Sequence, residues 1–390
     1  MNDRKLRYMW AYSAGRDAVV DQHDRQLEHR RQLGYDVTNF CVTPTQLSRE
    51  WLPFYQLDYL WKSRNRALLE MYDALAAALE DRDVLVLYNG ANLHPEFVRQ
   101  LHVLKVYTCA DDPDSSAILS KPVARAFDMH LVNNAACLDM YRGWGLHDVH
   151  FWPLGSQVTE EEVADISDES VGDIALRPLS VVFFGGLDYW RRSRMLKLAK
   201  VFPDAYCAGR RWPRGYVTVA QRLDAYRQAQ IGWNMYLSDG PINFRLYDLP
   251  AFGIMQICDN KSHLGQVFDL GKEVAGFDTT AECIELTRYY LAHPREQREM
   301  AVAARTRWRN QYTPIRVWQR LTELVEQTFK TMAPAPAGLV PEVRSELQRQ
   351  LSAGSHDSVG LRLRRNASKV LHRGGRCARA LLWQVRRRHR

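Results

Sequence analysis

Arg245 and Asp248 stand one helical turn apart inside the stretch Asp239 to Asn260 (DGPINFRLYDLPAFGIMQICDN). Gly240-Pro241 opens it as a turn, because neither residue suits the middle of a helix or a strand. Asn243 to Ala251 reads as a short helix, and after Gly253 the run Ile254-Met255-Gln256-Ile257-Cys258 reads as a buried strand closed by Asp259-Asn260. The free N–H groups and partial positive charge at the start of such a helix suit a diphosphate. Arg245 adds a fixed cation there, and Asp248 offers a carboxylate to a ribose diol.

A second anion cradle is expected at Gly185-Gly186, where glycines admit backbone to a ligand and Arg191 and Arg192 open the next helix. Arginines there supply the charge that a metal supplies elsewhere. Trp212 is a candidate to stack near a nucleobase, or a core residue of its turn. With Asn243, Phe244, Arg245, Tyr247 and Asp248 these residues form the expected nucleotide side. The other side is expected from Asn89-Gly90-Ala91-Asn92 and Asp111-Asp112-Pro113-Asp114, polar loops that follow apolar strands. Asp112-x-Asp114 has the form of a metal-binding pair, but positioning of an acceptor hydroxyl by Asp111 or Asp112, or simple capping of the next helix, is the reading preferred, with no metal. His94, before Pro95, is a candidate general base or a plain surface residue. Arg245, Asp112 and His94 are thus the catalytic candidates. Gly265 to Lys272 fails as a phosphate loop, being one residue too long and followed by Glu273.

These loops need strands to hold them. Leu6 to Tyr12, Val37 to Val42, Asp83 to Tyr88, Leu104 to Ala110, Met129 to Val132 and Val149 to Trp152 read as strands of a first domain over residues 1–158. Residues 159–178 are acidic and poorly periodic and read as a linker. Leu179 to Phe184, Ala205 to Ala208, Ile231 to Met235 and Ile254 to Cys258 then build a second α/β domain over 179–330, finished by helices from Ala281 to Lys330. A length of 390 residues fits two such domains. Seven scattered cysteines without a Cys-x-x-Cys pair read as reduced thiols, and no apolar run approaches the ~18 residues of a spanning helix.

The second half resembles the C-terminal half of the spore-maturation type of group 1, family-4-like glycosyltransferases. The residues that carry the likeness are Arg245, Asp248, Ala251-Phe252-Gly253, Asp259, Phe268-Asp269-Leu270-Gly271, Tyr289-Tyr290-Leu291-Ala292-His293-Pro294 and Tyr312-Thr313-Pro314-Ile315-Arg316. The first half adds Asp111-Asp112-Pro113 and Tyr141-Arg142-Gly143-Trp144-Gly145. The resemblance implies two Rossmann-like domains of the GT-B class with a cleft between them. It also implies a nucleotide-sugar donor on the second domain, metal-free transfer with retention of configuration, and a last helix that packs back on the first domain.

The net charge of +8 is unevenly spread. Residues 331–390 hold 13 Lys+Arg and 3 Asp+Glu, a net of +10, so the remaining 330 residues are nearly neutral. Pro334, Pro336 and Pro341 mark a hinge, and residues 361–390 form a basic stretch with Ala378, Leu381, Leu382 and Val385 on one helical stripe beside Trp383. An anionic membrane surface is the favoured partner of this appendage, ahead of nucleic acid or plain disorder. The expected enzyme is cytoplasmic or peripheral on the inner membrane face, and its acceptor is a glycan, a lipid-linked glycan or a protein. A nucleic-acid-binding protein and a sugar-nucleotide epimerase are the rival readings.

Overall fold

The structure is a computed structural model that describes residues 5–14, 17–44, 51–90, 92–171, 173, 176–236, 242–260, 264–331 and 340–352. The Gly240-Pro241 turn, Ala91 and the basic stretch 361–390 lie outside the described residues.

Six strands form a parallel first sheet: β1 (Arg7–Tyr12), β2 (Asp36–Cys41), β3 (Val84–Leu87), β4 (Leu104–Cys109), β5 (Met129–Val132) and β6 (Val149–Phe151), in the order β2-β1-β3-β4-β5-β6. Strands covered by helices on both faces must be apolar throughout, and all four residues of β3 (VLVL) are buried. Helix α1 (Asp17–Gln32) joins β1 to β2 and is followed by Gly34 at φ +82°, the left-handed stop expected there. Helices α2 (Phe54–Lys62), α3 (Arg66–Ala78), α4 (Pro95–Val98) and α5 (Cys137–Gly143) complete this domain.

The second sheet holds β7 (Leu179–Phe184), β8 (Tyr206–Ala208), β9 (Ala229–Asn234), β10 (Met255–Asp259) and β11 (Ala275–Phe277), ordered β11-β10-β9-β7-β8 and again parallel. Helices α6 (Tyr189–Val201), α7 (Val219–Arg227), α8 (Arg245–Ala251), α9 (Thr280–Ala292) and α10 (Pro294–Arg307) surround it. Every expected strand is present. β11 was not expected, because three residues with a central glycine at a sheet edge leave no periodic signal.

Two segments pack on the domains beside them. The segment read as a linker contributes Val163, Ile166 and Val171 to the second core, and Arg305 donates to the carbonyls of Val163 and Ile166, so it is a strap on that domain. In the hinge-and-tail segment residues 332–339 lie outside the described ones, and α12 (Val340–Ser352) docks on the first domain instead of standing free. Val343 and Leu347 enter the first core, and Arg344 pairs with Asp73 and Glu80 at 3.2 and 2.7 Å. Helix α11 (Pro314–Thr331) packs back as expected, burying Val317, Trp318, Leu321 and Val325 against β1 and its neighbours.

Candidate active site

In the second sheet the chain steps from β7 outward to β8 and then returns to the other side of β7 for β9. The carboxyl ends of β7 and β9 therefore flank the point where the winding reverses, the place where open α/β sheets bind ligands. Arg191, in the first turn of α6, reaches that point and is buried. Its guanidinium donates to the Gly186 carbonyl at 2.6 and 3.0 Å and to the Met235 carbonyl at 3.0 Å. Arg245, the first residue of α8, arrives from the opposite side. It donates to the Phe184 carbonyl at 2.8 Å, the Met235 carbonyl at 3.2 Å and Asn234 Oδ1 at 3.3 Å.

Both guanidinium carbons lie over the Phe183 ring, 5.2 and 5.1 Å from its centroid. They converge on Gly185, where a Cβ would sit 3.1 Å from Arg245 Nη1 and 3.3 Å from Arg191 Nη2. Glycine keeps that approach open. Neither arginine forms an ion pair among the described residues, because the nearby carboxylates are committed elsewhere. Asp188 binds Arg210 and Arg211, and Asp259 binds Arg194 and the Tyr236 amide. Burial lowers the Arg191 pKa to about 9, with the like charge of Arg245 adding to the effect, and burial also lowers that of Arg245. Two desolvated cations side by side without a counter-ion are costly by themselves and favour an incoming anion.

The other residues expected on this side divide. Gly186 shares the turn, and Asn243 donates to Asn234 Oδ1 at 2.9 Å. Phe244 is the half-buried residue before α8. Arg192 is exposed and outside the cluster. Trp212 is a brace, not a nucleobase platform: its indole donates to the Gly185 carbonyl at 2.9 Å and its side chain is buried. Tyr247 is fully buried, edge-on to Tyr312 at 5.1 Å, and is core. Asp248 is buried as well, and its Oδ1 accepts from the Ser156 hydroxyl and the Gln157 amide, both at 2.9 Å. That oxygen ties α8 to the crossover from the first domain, a contact that spacing along the helix does not reveal.

In the first domain Tyr88 and Ala110, at the carboxyl ends of β3 and β4, pack against the second-domain core, so this sheet edge faces the other domain. Asn89 and Asp111 meet there, the amide donating to Asp111 Oδ2 at 3.4 Å, and burial raises the Asp111 pKa. Gly90 has φ +61°, and a side chain there would collide with the Tyr107 hydroxyl. Asp112 turns inward. It is 2% exposed, its Oδ2 accepts from Tyr141 at 2.6 Å, and burial raises its pKa to about 6. A carboxyl so enclosed cannot touch an acceptor, which removes it from the catalytic and acceptor sets. His94 is corrected too. Its ring is stacked between Trp61 and Phe54, its Nδ1 accepts from the Glu96 amide as the cap of α4, and burial lowers its pKa.

Sequence reasoning missed Asn234, Gln256 and Ser156. The signal for the first two was available, since a polar amide inside an otherwise buried strand needs a partner. Among the described residues no three His, Cys, Asp or Glu side chains converge as a metal site, and no helix is long and apolar enough to cross a membrane. Six cysteines in the described residues are free thiols.

A family model described as glycosyl transferase-like matches residues 191–323, from Arg191 in α6 into α11. No curated protein matches the chain in sequence. Among solved structures, a glycosyltransferase from Rickettsia africae superimposes with a TM-score of 0.61 at 9% identity, covering 84% of this chain and 100% of that one. Sucrose-phosphate synthase from Thermosynechococcus elongatus gives 0.59 at 13%, covering 84% and 100%. HepE from Anabaena, in complex with UDP and glucose, gives 0.56 at 10%, covering 83% and 100%. The likeness spans both domains, and the fold is that of the two-domain GT-B class.

Proposed function

We propose that the protein is a nucleotide-sugar-dependent glycosyltransferase. The observation that carries this reading is the pair of guanidinium groups of Arg191, buried, and Arg245, half-buried, which form no ion pair among the described residues and converge on Gly185 at the switch point of the second sheet. The likeness of this half to a glycosyl transferase-like family, and the UDP held by a protein of the same fold, support a nucleoside diphosphate as the anion. In transfer, the bond from the anomeric carbon to the diphosphate oxygen breaks and one to an acceptor hydroxyl oxygen forms. The hydroxyl proton leaves with the diphosphate. The two arginines stabilise the charge that builds on the departing diphosphate, commonly the largest catalytic contribution. Asn89 and Asp111, which meet at the carboxyl edge of the first sheet, are the residues assigned to the acceptor.

The finer reading follows the spore-maturation resemblance: retention of configuration, no metal, and work on a cell-surface glycan or glycoconjugate with a glycan, lipid-linked or protein acceptor. A cytoplasmic enzyme whose 361–390 stretch rests on an anionic membrane surface completes it.

The test is calorimetric titration of UDP, GDP and dTDP, followed by sugar-transfer assays with the matching donors. One diphosphate is expected to bind, and Arg245→Ala to weaken it at least tenfold, about 1.4 kcal/mol, while circular dichroism is unchanged. Absence of binding by all three, or wild-type affinity in Arg245→Ala, overturns the proposal. Donor consumed without any acceptor would instead mark an epimerase.

A further inference from the structure

Asn234 is the last residue of β9 and is fully buried beneath the two arginines. Its surroundings fix which way its amide points. The Leu246 carbonyl can only accept, so the Gln256 amide nitrogen faces it, at 3.3 Å. Gln256 Oε1 is then left to accept from Asn234 Nδ2 at 2.9 Å. Asn234 Oδ1 must in turn face outward, toward Arg245 Nε and Asn243 Nδ2. Guanidinium nitrogens only donate, so the relay is consistent from a backbone carbonyl to the cation with every amide orientation determined.

A carboxylate is the usual partner for a buried guanidinium, and position 234 is where one would fit. The chain places a neutral amide there, while the carboxylates of Asp188 and Asp259 are spent on Arg210, Arg211 and Arg194. We propose that Asn234 is a positioning residue of the leaving-group site, which aims the Arg245 guanidinium while leaving its full charge for the phosphates. This inference rests on the glycosyltransferase reading and deepens it. Asn234 acts through the two side chains that donate to its Oδ1, Arg245 and Asn243.

Asn234→Asp keeps the shape and adds the missing countercharge. The full chain is titrated with UDP, GDP and dTDP, and the tightest of these is compared with its own nucleoside by saturation-transfer NMR. Asn234→Asp is expected to weaken the diphosphate at least tenfold and leave the nucleoside within twofold, so the ratio of the two affinities collapses. An unchanged diphosphate affinity overturns the inference. So does a parallel loss of both ligands, which a merely structural role would give.

If Asn234→Asp does not fold, Gly185→Asp is compared with Gly185→Asn, which differ only in the charge set between the two guanidiniums. The aspartate variant is expected to bind at least tenfold more weakly than the asparagine variant, and equal affinity overturns the inference. The wild type is measured first. If it binds none of the three diphosphates, the glycosyltransferase reading itself fails, and the inference with it.

Discussion

Arg245 and Asp248 sit on the same short helix, yet the first faces the switch point and the second faces the crossover from the other domain. Asp248→Ala would leave the Ser156 hydroxyl and the Gln157 amide without their acceptor in a buried place, at a cost of about 1–3 kcal/mol. The expected result is lower stability in denaturant with nucleoside diphosphate affinity within twofold of wild type. Asp248→Asn, which keeps an accepting oxygen, should recover most of the loss. An affinity loss without destabilisation would return the residue to the ribose. Asp112 carries a pH prediction. Burial raises its pKa from 3.8 to about 6, so the native state holds the proton more tightly than the unfolded chain. Its contribution therefore favours the fold in acid and is lost as pH rises from about 4 to 6, by at most about 3 kcal/mol. Asp112→Asn, whose side-chain oxygen can still accept from Tyr141, should flatten that part of the stability–pH curve and gain on wild type at pH 7.

At the scale of the elements, the site depends on two turns that touch. Gly209, after β8, has φ +130°, and a Cβ there would lie 2.7 Å from the Gly185 carbonyl oxygen. The obstacle is backbone, so the Gly185 turn itself must move. Gly209→Ala should lower both the melting temperature and the affinity for the nucleoside diphosphate. Gly215, on the same loop, also has a left-handed φ, of +67°, but meets nothing within 4 Å. Gly215→Ala should therefore cost about 1 kcal/mol of backbone strain and leave affinity unchanged, as thermal melts and calorimetry on the pair would show. Trp212 holds the same turn from below through its bond to the Gly185 carbonyl.

Over the whole molecule, the last helices bind the two domains to each other. Trp152 donates to the Val317 carbonyl at 2.8 Å, and Arg30 lies between the rings of Trp10 and Trp318, 4.6 and 4.2 Å from their centroids. With Asp248 on Ser156, these contacts tie the second domain to the first at several points. Helix α12 then closes on α3. Truncation after Ser352 is expected to leave stability and nucleotide affinity unchanged. Truncation after Thr331 should destabilise the protein, since it uncovers the surface under Val343 and Leu347 and frees Asp73 and Glu80 from Arg344. Equal denaturation midpoints for the two truncations would contradict the docking of α12.

The strands and the loops at their carboxyl ends were legible in the residues alone, because a parallel strand buried on both faces is written as a mostly apolar run. Arg191 and Arg245 were legible for the same reason: each opens a helix just beyond such a loop. What Asp248, Asp112, His94, Trp212 and Tyr247 do was not. Spacing fixes how far apart two side chains lie along one element, and says nothing of what lies across from them. Asp248 meets Ser156, which stands 92 residues earlier, and Asn234 meets Gln256 across neighbouring strands. Only the packing of distant segments decided which polar groups were spent on the fold and that Arg191 and Arg245, like the buried Arg30, Arg177 and Arg305, form no ion pair among the described residues.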